Sequence, residues 1–182
     1  MGARRLGEVH SAMAEFNSNI WAPWRMQYID SLAGRDEQGC FLCQLGGTPK
    51  DDAQNHVLWR SDQTLVLLNR FPYSSGHLLV ATAAHEAQLE AVPEDVLLEL
   101  MLRVRDAKRV LEVALNAQGF NVGLNIGHCA GAGLPEHLHW HVVPRWGGDT
   151  NFMPVLGDVR VVPEAIDQTY AKLLATAREL GL

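Results

Sequence analysis

Apolar residues recur along the chain at two different spacings, which predict strands in some segments and helices in others. After Pro93 and two acidic residues, apolar side chains repeat at helical spacing to about residue 118, and Gly119 is predicted to end this long helix. Short apolar runs between turn residues predict strands at 56–60, 64–69, 77–81, 120–126 and 137–144. Weaker patterns predict a short helix near 84–91, a terminal helix over 163–182 and a loop over 44–55.

These elements predict an α+β fold, with about five strands in an antiparallel sheet, one long helix packed across it and a C-terminal helix. No repeat or linker divides the chain, so residues 19–182 are predicted to form a single domain. Residues 1–18 mix charged and small side chains and are predicted to be loosely ordered. The aromatic-rich stretch 20–33 is expected to pack as an arm against another surface.

Composition and charge narrow the possible functional classes. The 182 residues include 15 basic and 21 acidic side chains, a formal charge of −6, which argues against binding a nucleic-acid backbone. No apolar run approaches the roughly 18 to 20 residues that a membrane helix needs, and no secretory signal is visible. We therefore expect a cytoplasmic protein without nucleic-acid or membrane partners, although its charge is compatible with a small phosphorylated ligand.

Three histidines alternate along the last predicted strand. Side chains on a strand point to opposite faces in turn, so His137, His139 and His141 are expected to share one face. An apolar core is an unlikely place for three imidazoles, because their buried nitrogens all need hydrogen bonds. Two chemical interpretations stay open: a metal site on two or three of the histidines, or nucleophilic and acid–base work on a phosphate.

The pair Cys40-x-x-Cys43 is the second candidate site. Three cysteines in all do not suggest a secreted disulfide framework, so the pair is interpreted as a metal or redox motif. A structural zinc needs four ligands, and Cys and His are preferred. His85 and His137 are the candidates for the other two ligands.

The chain resembles the histidine triad (HIT) family of nucleotide hydrolases and transferases over about residues 56–150. The resemblance rests on the His-x-His-x-His-Val-Val-Pro-Arg run at 137–145, and on Asn69-Arg70 and Gly76-His77 upstream. The segment 144–152 and the Trp-Ala-Pro-Trp-Arg arm at 21–25 resemble the diadenosine tetraphosphate phosphorylase-like branch of that family. One departure is that Gly133-Leu134-Pro135-Glu136 stands where many members have Gln followed by Ser or Thr.

The resemblance implies a role for each matching residue. His139 would be the nucleophile that attacks the α-phosphorus and forms a nucleotidyl-histidine, which water or inorganic phosphate then resolves. His141 and His77 would contact the phosphate and assist the leaving group. The other implied substrate contacts are Asn69 for ribose, Asn125 for phosphate or ribose, the Gly-rich loop containing Gly133 for phosphate, and Leu67 and Leu79 for the base.

The resemblance also implies a cofactor and partners. A structural zinc would take Cys40, Cys43, His85 and His137, and the protein would be a homodimer or larger homo-oligomer acting on nucleotides or dinucleoside polyphosphates. The expected activity is therefore nucleotidyl transfer or hydrolysis on a diadenosine tetraphosphate-like substrate. Two alternatives stay open: a metal-dependent hydrolase whose ligands are the His cluster, and a non-catalytic, zinc-stabilised nucleotide-binding module.

Overall fold

The computed structural model describes residues 39–149 and 164–182. The predicted loose segment 1–18 and the predicted aromatic arm 20–33 lie outside these residues. The expectation of one domain over 19–182 therefore stays a prediction. In the part of the chain that is described, no helix combines the length and apolar character that a membrane crossing requires.

Five antiparallel strands form one sheet within the described residues, in the order β1-β2-β3-β5-β4. Their bounds are Val57–Arg60 (β1), Thr64–Leu68 (β2), Leu78–Thr82 (β3), Gly119–Leu124 (β4) and His139–Arg145 (β5). The last strand lies between β3 and β4, and it is therefore bordered by a neighbour on each side. Together with the helices, this sheet confirms the predicted α+β fold.

The described residues contain three α-helices, at Phe41–Gly47 (α1), Glu94–Leu115 (α2) and Ile166–Glu179 (α3). Short 3-10 turns occur at Pro49–Asp51, Leu89–Ala91 and His128–Ala130. The apolar stripe of α2 packs with α3 on one face of the sheet, where Val80, Trp140 and Val142 are buried. Burying an apolar side chain of this size stabilises the fold by about 1.5–3 kcal/mol.

Several predicted elements differ from the structure in their bounds. The long helix ends at Leu115 rather than near 118, because Asn116 adopts a left-handed conformation (φ 52°), and Gly119 begins β4 instead. The predicted loop 44–55 contains the end of α1 and a 3-10 turn, and the predicted helix near 84–91 is reduced to the turn Leu89–Ala91. The predicted strand 137–144 begins at His139.

The face of the sheet opposite α2 and α3 carries the histidines. The strand register aligns Leu67, Leu79 and His141 in one row across β2, β3 and β5. In the neighbouring row, Leu65 pairs with Ala81 and Ala81 with His139. Leu42 from α1 is buried with the leucines of these rows. The sheet therefore uses one face for the core and the other to present imidazoles beside a small apolar cluster.

Candidate active site and metal centre

Three imidazoles lie together on the histidine-bearing face of the sheet. His139 and His141 occupy alternate positions of β5, with ring centroids 5.1 Å apart. His77 directly precedes β3, and its Nε2 lies 2.9 Å from Nδ1 of His141. His139 is only 6% exposed and His77 is fully buried. The sheet register thus brings together the three residues that the sequence predicts as catalytic.

The protonated nitrogen of His139 follows from its hydrogen bond. Its Nδ1 lies 2.8 Å from the backbone carbonyl oxygen of His137. A carbonyl oxygen only accepts hydrogen bonds, so Nδ1 carries the proton and donates it. In a neutral imidazole the lone pair is then on Nε2, which is the nitrogen available for bonding to an electrophile.

Burial favours the neutral form of His139 and His141. It lowers the pKa of His139 below its ordinary value, against a smaller opposing effect of the hydrogen bond to the His137 carbonyl. Burial, with a smaller contribution from the charge of His139, lowers the pKa of His141 to about 4. Near neutral pH the side chains are therefore uncharged, as a nucleophilic imidazole must be.

Asn69 and Tyr73 surround His77. The side-chain Nδ2 of Asn69 and the backbone N of Tyr73 each lie 3.2 Å from Nδ1 of His77. The ring of Tyr73 stacks on His141, with centroids 5.8 Å apart and an interplanar angle of 18°. Tyr73 is not among the residues that the sequence predicts, because neither a backbone donor nor a stacking contact leaves a recognisable pattern in one sequence.

The residues predicted to contact the substrate lie on different strands and loops of the fold. Leu67 and Leu79 share a row with His141 and are 3% and 4% exposed. Asn125 follows β4, whose last residue Leu124 pairs with Trp140 beside His139. Gly133 is exposed, in the loop that leads to His137.

The four predicted metal ligands form a second cluster. One ligand atom from each of Cys40, Cys43, His85 and His137 lies within 4.8 Å of all the others. Nδ1 of His137 lies 3.1 Å from Sγ of Cys40 and 3.5 Å from Sγ of Cys43, and Nδ1 of His85 lies 3.2 Å from Sγ of Cys43. In a tetrahedral zinc site, ligand bonds of about 2.3 Å to sulfur and 2.0–2.1 Å to nitrogen separate these atoms by about 3.5 Å. The donor set and its spacing therefore fit a zinc ion.

The hydrogen bond of His137 also suits a metal ligand. Its Nε2 lies 2.8 Å from the carbonyl oxygen of Thr82 and therefore carries the proton. The lone pair on Nδ1 then faces the two sulfurs, and a backbone carbonyl behind a ligating histidine is a common orienting partner. Burial, followed by the neighbouring Cys40, raises the pKa of the Cys43 thiol to about 11, whereas reactive redox thiols have lowered pKa values.

The chain belongs to the HIT domain family, whose pattern matches residues 50–148, and it is an enzyme of the HIT nucleotide hydrolase and transferase type. It is 37% identical over 166 residues to an AP-4-A phosphorylase of Mycobacterium tuberculosis, covering 86% of this chain and 82% of that protein. A bis(5'-nucleosyl)-tetraphosphatase [asymmetrical] of Schizosaccharomyces pombe is 30% identical over 95 residues, 52% of each chain.

One solved structure with a similar fold is zinc-bound. It is a Zn-bound histidine triad family protein from Mycobacterium smegmatis, with 25% sequence identity and a TM-score of 0.64. The match covers 79% of this chain and 96% of that chain. The Cys/His cluster of the present chain can hold a metal, and a relative of the same fold is zinc-bound.

Proposed function

We propose that the protein cleaves dinucleoside polyphosphates, such as diadenosine tetraphosphate, through a nucleotide covalently bound to His139. The observation that carries this proposal is the buried, neutral imidazole of His139, whose Nδ1 donates to a carbonyl and whose Nε2 therefore holds the lone pair. The similarity to the M. tuberculosis phosphorylase supports the choice of substrate.

In the first step, Nε2 of His139 forms a bond to the α-phosphorus. The phosphoanhydride bond between that phosphorus and its bridging oxygen breaks, and the oxygen leaves with the electron pair on the remaining polyphosphate. His141 stands beside the nucleophile, with ring centroids 5.1 Å apart, and assists departure by donating an N–H to that oxygen.

In the second step, an oxygen nucleophile attacks the same phosphorus and the bond to Nε2 breaks, which restores His139. If the nucleophile is inorganic phosphate, the product is a nucleoside diphosphate. If it is water, the product is a nucleoside monophosphate. We favour phosphorolysis, because the M. tuberculosis relative matches most of this chain, whereas the S. pombe relative matches about half of it.

We further propose that the Cys40, Cys43, His85 and His137 cluster holds a structural zinc. Four protein ligands complete a tetrahedral set and leave no open position for a substrate or an activated water, which is typical of structural sites. The bound ion would stabilise the region preceding β5. The assignments of Asn125, Gly133, Leu67 and Leu79 to substrate contacts, and of the chain to a homodimer, are also part of this proposal.

The test is to incubate the protein with diadenosine tetraphosphate, with and without inorganic phosphate, and to separate the nucleotides. We expect ADP and ATP when phosphate is present. A nucleotide adduct on His139 is expected in the intact mass after an alkaline quench, which preserves the nitrogen–phosphorus bond. His139→Ala is expected to abolish both turnover and adduct.

Three outcomes would count against the proposal. Full turnover by His139→Ala excludes the covalent mechanism. Activity that disappears on chelation and returns with added metal, with no adduct at any time, favours a metal-dependent hydrolase. Nucleotide binding without any product, unchanged by His139→Ala, indicates a non-catalytic binding module.

A further inference from the structure

The orientation of the Asn69 side chain is determined by a backbone donor. The backbone N–H of Phe71 donates to Oδ1 of Asn69, with a distance of 2.9 Å between N and O. A backbone N–H cannot accept, so the atom that it contacts is the amide oxygen. The other end of the amide is therefore the NH2 group, and it is this end that lies 3.2 Å from Nδ1 of His77.

Nδ1 of His77 receives a second donor. The backbone N–H of Tyr73 points at the same nitrogen, with an N–N distance of 3.2 Å. A nitrogen that accepts from two donors carries no proton itself, so the proton of the neutral His77 ring is on Nε2. Nε2–H then donates across 2.9 Å to Nδ1 of His141.

The hydrogen bond from His77 also determines the tautomer of His141. Because its Nδ1 accepts from His77, the proton of the neutral ring is on Nε2, the nitrogen directed away from His77. The low pKa of His141, about 4, means that the ring is neutral near pH 7 and that its tautomer, not its charge, decides what it can donate. His77 is fully buried, so solvent is not available to supply a competing donor.

We infer that Asn69 is a positioning residue: its NH2 group, with the Tyr73 N–H, directs the proton of His77 to Nε2 and thereby makes His141 a donor at Nε2. The tautomer assignment stands on hydrogen-bond geometry alone, and only its catalytic use, donation to the leaving oxygen, rests on the proposed function. This role differs from the ribose contact that the family resemblance implies for Asn69. Each end of its amide engages one protein group, which leaves one N–H and one oxygen lone pair for such a contact.

An aspartate at this position separates the two roles. A carboxylate has no donor, so it would accept from Nδ1 of His77 and draw the proton to that nitrogen. His77 would then either be neutral with its proton on Nδ1 or be a cation protonated at both nitrogens. In the neutral form, His77 could no longer donate a hydrogen bond to Nδ1 of His141. A carboxylate can still accept from ribose hydroxyls, so a purely ribose-binding role would survive the change.

The experiment records long-range ¹H–¹⁵N correlations of imidazole nitrogens in ¹⁵N-histidine-labelled protein, without any substrate. His77→Asn and His141→Asn spectra supply the assignments. In the wild type we expect His77 and His141 both protonated at Nε2. In Asn69→Asp we expect the proton of His77 at Nδ1, or at both nitrogens. Asn121→Asp is the matched control, since it adds the same charge at an exposed site on β4 and is expected to keep the wild-type pattern.

Kinetics supply the second readout. With diadenosine tetraphosphate, Asn69→Asp is expected to lower kcat by roughly 100-fold, the lower end of the general-acid range, with KM changed less than about threefold. A purely ribose-binding role, which the carboxylate can still fill, instead predicts that kcat and the tautomers both stay as in the wild type. If the protein does not act on this substrate, the proposed function fails, while the tautomer spectra still decide the role of Asn69.

Two spectral results would overturn the inference. The first is a wild-type His77 protonated at Nδ1, and the second is an Asn69→Asp protein that keeps the proton of neutral His77 on Nε2. If circular dichroism shows that Asn69→Asp does not fold, Asn69→Leu replaces it. That variant leaves one donor on Nδ1 instead of two, so the fraction of His77 protonated at Nδ1 is expected to rise, and no rise excludes a role for Asn69.

Discussion

Gly76 directly precedes His77, and its replacement is expected to disturb both the stability of the fold and the imidazole pair. Its φ is +79°, in the left-handed region that favours glycine. A Cβ at this position would lie 2.5 Å from Cδ1 of Leu115 and 2.9 Å from Cδ2 of Leu111, both on α2. Real carbon atoms do not approach this closely, so the two leucine side chains, the loop or the helix must move.

The expected cost of Gly76→Ala has two parts. The left-handed conformation costs a residue with a Cβ about 1–2 kcal/mol, and overpacking a filled site costs typically 1–3 kcal/mol. Together they lower the free energy of unfolding by about 2–5 kcal/mol, or the Tm by roughly 4–20 °C for a chain of this size. Displacement of His77 is expected to lengthen its hydrogen bond to His141 and to lower kcat.

Urea unfolding followed by circular dichroism measures the stability change, and turnover measures the effect on the site. Gly148→Ala is the control, because Gly148 has a similar φ of +78° and its Cβ would meet nothing within 4 Å. In a double-mutant cycle, adding Leu115→Ala should recover part of the loss by removing the nearest clash. A loss below about 1 kcal/mol in Gly76→Ala, or strictly additive effects in the cycle, would refute the steric argument.

Three further predictions concern separate parts of the molecule. Hydrogen bonds from Ser61, Thr64 and Arg103, with Ser61 contributing most, hold the pKa of Glu99 below its usual range against an opposing effect of burial. The stabilisation from Glu99 is therefore present above its unfolded-state pKa and disappears as the pH falls through its folded-state pKa. The stability difference between wild type and Glu99→Gln should shrink in urea titrations taken from pH 7 to below pH ~4. Cys43→Ser should weaken zinc binding by more than the roughly 10–100-fold typical of losing an outer-sphere partner, as measured by chelator competition, and should lower the Tm. Tyr73→Ala removes a stacked ring worth about 0.5–1.5 kcal/mol from His141, so kcat should fall, whereas Tyr73→Phe should keep it.

Each of these predictions has a control and a contrary result. Glu90→Gln changes the same charge at an exposed position, and an equal pH profile in both variants would contradict the role given to Glu99. Cys129→Ser alters an exposed cysteine outside the cluster, and equal zinc affinity in both serine variants would disprove the ligand assignment. A Tyr73→Ala protein with wild-type kcat shows that stacking does not order His141.

Much of the fold follows from periodicity, because each strand alternates or forms a short apolar run and the main helix has a continuous apolar stripe. The prediction that this helix ends at Gly119 is wrong, because the chain turns earlier, at Asn116, and asparagine also tolerates a left-handed conformation. The start of α1 was missed because its seven residues carry no acidic first turn and no side-chain cap hydrogen bond.

The candidate site is likewise only partly predictable from the sequence. The alternation of His139 and His141 and the spacing of Cys40 and Cys43 are visible in the sequence, and the sheet brings each group together. The contacts that orient the rings were not visible, because they use the carbonyl of His137, the carbonyl of Thr82 and the N–H of Tyr73. Backbone groups are the same at every non-proline position, so a sequence carries no local mark of the ones that matter.

His137 takes part in two sites through different groups. Its ring faces the cysteine sulfurs, while its own carbonyl accepts a hydrogen bond from Nδ1–H of His139, the proposed nucleophile. If the cluster binds zinc as proposed, a preparation that loses the ion during purification would contain His139 rings of unequal order, and its average turnover would understate that of the fully loaded protein. Specific activity normalised to zinc content, not to protein mass, would then be the quantity to compare between variants.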